Sequence, residues 1–252
     1  LWNKYKEGKK DLEKFITKRI TPELVNSEGF FEAFKKNGKY KYHSIPDVTV
    51  AICEKLPDKV YQDREFVEDL FSELEKIDNP KLVDLLLKKV NISFSQPIKL
   101  SDLVLWKLEK FPTLQTVYLK NLPAKSLPLP NKYDYAAEND ITNALNYTKK
   151  SPDTQIILLN AIEKYDFDFL KNILNNNPPI LSREAASFLA YNLKYTIADY
   201  YQNLGRFSYN NDDIVTIFRP YPEAQAIVLQ AALTYFSKLK KQDTNIDFVN
   251  SE

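Results

Sequence analysis

Residues 65–90 read EFVEDLFSELEKIDNPKLVDLLLKKV, and this stretch decides the fold. Phe66, Val67, Leu70, Phe71, Leu74 and Ile77 recur at the spacing of one face of an α-helix. Asp78-Asn79-Pro80 then interrupts the pattern, which resumes from Leu82 to Val90. Proline is tolerated in the first turn of a helix, where its missing N–H has no intrahelical acceptor, and an Asn before it can cap. The stretch is therefore helix, tight break, helix.

The same punctuation recurs on both sides. Thr21-Pro22 and Ser151-Pro152 repeat the cap-then-proline pattern, while Phe111-Pro112 and Tyr221-Pro222 have the proline without a polar cap. Toward the N-terminus the spacing predicts a helix over 2–20, with Leu12, Phe15, Ile16 and Ile20 on one face. It predicts a second over 22–36, closed by Gly38, and a third over 46–56. Toward the C-terminus, Ser101 is expected to cap a helix over 102–110, and Pro112 to open one reaching 121. Further helices are expected over 135–148, 152–164, 166–174, 183–204, 212–218 and 222–241. The helices at 183–204 and 222–241 are apolar around most of their circumference and rich in Ala, which favours close packing of the two.

Glycine is scarce. The 252 residues hold 4, against about 18 at ordinary usage. Tight hairpins of types I′ and II′ and Gly-rich phosphate loops both need glycine, and residues 39–204 have none. A multi-hairpin β-barrel, a Rossmann domain and a P-loop NTPase are excluded. The fold class is all-α. Proline-led starts at Pro80, Pro112 and Pro152 are on the scale of helical-hairpin repeats, so an irregular, α-solenoid-like array is expected, with an irregular helical bundle as the alternative. Four divisions follow: a basic N-terminal helical segment (1–45), helical hairpins (46–122), a Pro-rich extended connector (123–131) and a C-terminal helical half (132–252).

The inventory restricts chemistry. One His and one Cys cannot supply a His-rich metal centre, a zinc ribbon or an Fe–S cluster. His43 and Cys53 lie ten residues apart, but Cys53 sits in the apolar run Val48, Val50, Ala51, Ile52, where a Cys is usually a small buried hydrophobe. Asp166/Asp168 and Asp212/Asp213 lack the spacing of a metal-binding carboxylate motif and read as helix-start residues. No catalytic residue, metal or cofactor is assigned, and the expected class is non-enzymatic.

Charge is nearly balanced at +1, yet residues 1–42 carry +5 and the remainder −4. Lys4, Lys6, Lys9, Lys10, Lys14, Lys18 and Arg19 lie on the first helix. Lys35, Lys36, Lys39 and Lys41 follow, interleaved with Tyr40 and Tyr42. Cations with aromatic neighbours can track a nucleic-acid backbone and stack on bases. The expected function is a scaffold that binds single-stranded RNA or a protein partner, of the kind met in organellar RNA metabolism or translation. The alternatives are a structural subunit of a protein complex and an all-α enzyme with an unrecognised site. No membrane span is long enough in the sequence. The lone Cys points to a reducing compartment, cytoplasm or mitochondrial matrix. The chain begins at Leu1 and not at an initiator Met, so a preceding segment is expected.

Overall fold

The computed structural model describes residues 2–27, 29–38, 42–94, 98–123, 127, 135–162, 173, 178–204 and 218–247. The side chains at 2–7, 37, 38, 43, 135, 137, 195–204, 235, 236 and 238–247 are not described. The expected helices over 166–174 and 212–218 lie outside the described residues apart from their positions 173 and 218, as does most of the connector. The described residues are all-α, without a strand; Leu127 and Ile162 form a single isolated parallel bridge.

The chain divides into two compact units, Leu1–Ser95 with Val104–Asn121, and Gln96–Leu103 with Leu122–Glu252. The first holds α1 (Trp2–Thr17), α2 (Pro22–Val25), α3 (Phe30–Gly38), α4 (Pro46–Lys55), α5 (Arg64–Ile77), α6 (Pro80–Lys89) and α7 (Pro112–Leu119). The second holds α8 (Tyr135–Tyr147), α9 (Pro152–Ala161), α10 (Arg183–Leu204) and α11 (Pro222–Asp247).

In the first unit α1 lies on α4, α4 on α6, and α6 on α7. The stripe read from the sequence is the core: Phe66, Val67, Leu70, Phe71 and Leu74 are fully buried. Phe66 is ringed by aromatics, with Phe31, Tyr61, Phe34 and Tyr42 at centroid distances of 5.2, 6.1, 6.2 and 6.4 Å. Asp63 caps α5 by accepting the Phe66 N–H at 3.0 Å. Asp78 ends it in the left-handed region at φ 44°, and Asn79 then accepts the Lys81 N–H at 3.0 Å to start α6. In the second unit α10 packs along α11 and against α9, through Ala185, Ala186, Ala190, Ala224 and Val228. Arg183 pairs with Glu223 where the two helices begin.

Three local expectations are corrected. The helix expected over 22–36 is two helices, because Gly29 at φ +75° breaks it. The helix expected over 102–110 is replaced by 3₁₀ turns at Leu100–Asp102 and Leu105–Leu108. Ser151 does not cap α9; its hydroxyl lies 2.5 Å from that of Thr154.

Several helices share one burial register. Counting the first helical residue as one, positions three, four, seven, eight and eleven are buried. In α4 these are Val48, Thr49, Ile52, Cys53 and Leu56. In α7 they are Leu114, Gln115, Tyr118, Leu119 and Leu122, and in α9 Thr154, Gln155, Leu158, Leu159 and Ile162. In α10 they are Ala185, Ala186, Leu189, Ala190 and Leu193. Position four is polar in the proline-led three. Gln115 Nε2 donates to Leu105 O at 3.2 Å and Gln155 Nε2 to Leu145 O at 2.9 Å, each ten residues back. Thr49 Oγ1 donates to Tyr42 O at 2.9 Å. Each side chain ties its helix to the segment before it and satisfies a buried carbonyl.

Candidate binding face of the N-terminal helix

The face built by α1 is the site toward which the sequence pointed, and its apolar side chains are turned mostly to solvent. Of the residues placed on one apolar face, only Ile20 is buried. Leu12, Phe15 and Ile16 are 57%, 53% and 36% exposed. Glu13 is 7% exposed on a helix that packs against α4, and Lys9 Nζ lies 3.8 Å from its Oε1. Periodicity groups Leu12, Phe15 and Ile16 correctly but not Ile20, which lies past the end of the helix, and α1 sits on α4 about a quarter-turn away from the apolar stripe.

Arg19 covers part of that stripe. Its guanidinium stands 3.4 Å from the Phe15 ring centroid, and its Nη1 donates to Phe15 O at 3.3 Å. Cation–π contact of this kind keeps the charge in water above an apolar ring. Lys10, Lys14 and Lys18 follow at four-residue intervals, all exposed. Lys14, Thr17 and Lys18 line a cleft of about 450 Å³ with Asp47 and Glu54 of α4 and Lys81 at the start of α6. Cations and carboxylates face each other across it, with Val50 and Ala51 also in its lining.

The remaining predicted cations and tyrosines do not gather on this face as free groups. Lys35 Nζ reaches Asp63 Oδ2 at 2.8 Å and Glu65 Oε2 at 2.9 Å. Hydrogen bonding to Asp63 and then Glu65 raises its pKa above the ordinary lysine value. Lys36 is exposed. Tyr42 is buried against Phe34, 5.1 Å between centroids, so its ring faces the core and not solvent. Burial pushes its phenol pKa up. Lys4 and Lys6 belong to α1, but their side chains are not described. Lys39, Tyr40 and Lys41 lie outside the described residues.

Cys53 is fully buried in α4, and desolvation pushes its thiol up to about 12. A thiol so protonated is a poor nucleophile. The His43 side chain is not described, and Asp166, Asp168, Asp212 and Asp213 lie outside the described residues. Among the described residues no group of three or more His, Cys, Asp or Glu side chains is placed to hold a metal ion. No described helix is long and apolar enough to cross a membrane.

Sequence reading missed two features here. The outward turn of Leu12 and Phe15 has no sequence signal, because it depends on what α4 offers. The proline-led helices with a polar fourth residue had one: Pro112-Thr-Leu-Gln115, Pro152-Asp-Thr-Gln155 and Pro222-Glu-Ala-Gln225 share a spacing. Comparison of the chain with family models, curated proteins and solved structures gives no match.

Proposed function

We propose that the chain is a non-enzymatic helical scaffold, an irregular array of helical hairpins that presents helix faces to a protein partner. The observation that carries this reading is the outward face of α11. Ala224, Val228 and Ala232 are buried, while Leu229 and Leu233, one turn apart, are 44% and 60% exposed. Paired large apolar side chains on an exposed helix face are what a helix-in-groove or helix-on-helix partner uses as anchors. The shared burial register supports the repeat reading, because helices that bury equivalent positions can stack by the same geometry.

The test places a photo-crosslinking residue at Leu233 and isolates adducts from cells of the source. A single stoichiometric protein adduct, lost in a Leu229→Ser/Leu233→Ser variant with unchanged helicity, is the expected outcome. Adducts scattered over many proteins, or none, would sink the reading.

A second reading, binding of single-stranded RNA, is favoured by one observation: Lys10 and Lys14 on α1 and Lys18 just past its end are exposed at four-residue intervals. It predicts a gel shift that weakens steeply with salt and is lost on charge reversal of the three lysines. No shift at low salt refutes it. A single Cys, unable to form an internal disulfide, supports placing the protein in a reducing compartment such as cytoplasm or mitochondrial matrix.

A further inference from the structure

We propose that the cleft between α1, α4 and the start of α6 binds a small zwitterion, an amino acid that carries a second acidic group. The proposal goes beyond the scaffold reading and does not depend on it.

The helix α4 packs against both α1 and α6, and all three line a cleft of about 450 Å³. That volume is in the range of small-molecule sites. Asp47, Val50, Ala51 and Glu54 enter its lining at i, i+3, i+4 and i+7, so one face of α4 supplies them. Val50 and Ala51 are buried and make an apolar floor. Asp47 and Glu54 flank that floor, about 10 Å apart along the helix axis. Lys14 borders the cleft from α1, Lys18 from just past its end, and Lys81 from the start of α6.

The state of these charges points to a ligand. Elsewhere in this unit lysines close on carboxylates: Lys35 on Asp63 and Glu65, Lys89 on Asp58, Lys110 on Glu75. Among the described residues Lys14, Lys18, Lys81, Asp47 and Glu54 make no such pair. Charges of both signs thus border one space without meeting, and a ligand group of each sign between them satisfies both. Thr17 adds an independent observation. A helical threonine that turns inward ordinarily returns its hydroxyl to the carbonyl four residues back. Thr17 lines the cleft, and its Oγ1 is buried with no hydrogen-bond partner. An anionic oxygen of the ligand is the acceptor it lacks.

The lining also selects the class. A plain anion would meet Asp47 and Glu54, and a diamine would meet three ammonium groups, so either is repelled by part of the site. An amino acid with a second acidic group brings its ammonium to the carboxylates and its anionic groups to the lysines. Three cations against two carboxylates leave a surplus of positive charge, which complements the surplus of negative charge on such a ligand.

The experiment titrates the full chain in a calorimeter at low salt with O-phospho-L-serine and with L-glutamate. Inorganic phosphate and putrescine are the single-sign controls. At least one of the two amino acids is expected to bind at least about tenfold more tightly than either control. Asp47→Asn/Glu54→Gln is expected to weaken that amino acid about tenfold and to tighten phosphate, because a repulsion is removed. Lys14→Ala/Lys18→Ala is expected to weaken both by about tenfold. These four side chains are exposed, so helicity should be unchanged, and circular dichroism checks this. Thr17→Val keeps the shape and loses the hydroxyl, so the amino acid should bind more weakly while the free protein melts no lower. The proposal is overturned if neither amino acid binds at about 10 mM. It is equally overturned if phosphate binds as tightly as the amino acids, or if Asp47→Asn/Glu54→Gln binds them like the parent. RNA binding through the lysines would survive loss of the two carboxylates, which separates the two readings.

Discussion

Replacing Gln155 by Leu should destabilise the second unit by about 3 kcal/mol, and the figure follows from the two backbone groups that would lose their partner. The amide is fully buried at the fourth position of α9. Its Nε2 donates to Leu145 O at 2.9 Å and to Ile180 O at 2.8 Å, and its Oε1 accepts the Ser182 N–H at 2.7 Å. One side chain thus joins the end of α8, the segment before α10, and the N-cap residue of α10. Leucine fills nearly the same volume and can make none of these bonds. Leu145 O keeps other donors, since the Thr148 N–H and hydroxyl reach it at 3.2 and 3.1 Å. Ile180 O and the Ser182 N–H lose the amide, and an unsatisfied, partly buried backbone group costs about 1–3 kcal/mol. Two such groups give the stated total, or about 10 °C in melting temperature for a unit of this size. Calorimetry measures the shift, and hydrogen exchange over 178–190 should localise it, with faster exchange at Ser182 and the first turn of α10. A Gln155→Leu protein melting within about 1 °C of the parent would refute the reasoning, because the buried bonds would then carry no net stability.

Asp78→Gly should stabilise the first unit by about 0.5–1 kcal/mol in urea titration, because glycine adopts the left-handed φ of 44° without strain and removes a negative charge from the C-terminus of α5. Asp63→Ala should destabilise it by about 1–2 kcal/mol on the same titration, removing the α5 cap and one of the two carboxylates that hold Lys35. Burial raises the phenol pKa of Tyr42, Tyr61 and Tyr118 above the ordinary value, so each stays neutral when folded and ionises first when unfolded. Their contribution is complete below about pH 10 and lost above it at about 1.4 kcal/mol per pH unit for each, so tyrosinate absorbance should rise cooperatively with loss of helicity. Cys53, its pKa pushed up to about 12 and its side chain enclosed, should react with a disulfide reagent only as fast as the first unit opens, and at once in denaturant.

The sequence reading recovered elements and lost orientation, and α5 and α1 show why. Both carry apolar residues at helical spacing. In α5 the stripe Phe66 to Ile77 is inward because aromatic partners from α3 and from the 3₁₀ turns at Tyr42–Ser44 and Asp58–Gln62 close over Phe66. In α1 the same kind of stripe is outward, since the side that lies on α4 carries Glu13 and Thr17 instead. Periodicity fixes which side chains share a face, and neighbours distant in sequence decide where that face is turned. The same limit separated Tyr42 from the basic face. Lys-Tyr alternation placed it among the cations, and Phe34 and Phe66 draw it into the core instead. Caps were readable where the polar side chain is free to turn back, as at Thr21 and Asn79. Ser151 was misread because Thr154 competes for its hydroxyl.

The polar fourth position has a geometric logic that links the proline to the side chain that follows it. Proline fixes φ at the first helical residue and removes one N–H, and the residue before it has a similar conformation in all three helices: φ −138° and ψ 64° at Ile45, −125° and 65° at Phe111, −130° and 89° at Ser151. There the carbonyl of an earlier element lies beside the fourth residue, inside the core, and accepts from its side chain. Where the carbonyl is seven residues back, as with Tyr42 O, a threonine hydroxyl is long enough. Where it is ten residues back, as with Leu105 O and Leu145 O, the longer amide of glutamine is required. Side-chain length therefore tracks the loop it bridges. On this logic Gln155→Thr should fail to restore the bond to Leu145 and melt close to Gln155→Leu, while Gln155→Asn should recover none of the contacts to Ile180 and Ser182 either. A threonine variant as stable as the parent would show that reach does not select the residue, and that the coincidence of register in α4, α7 and α9 has another cause.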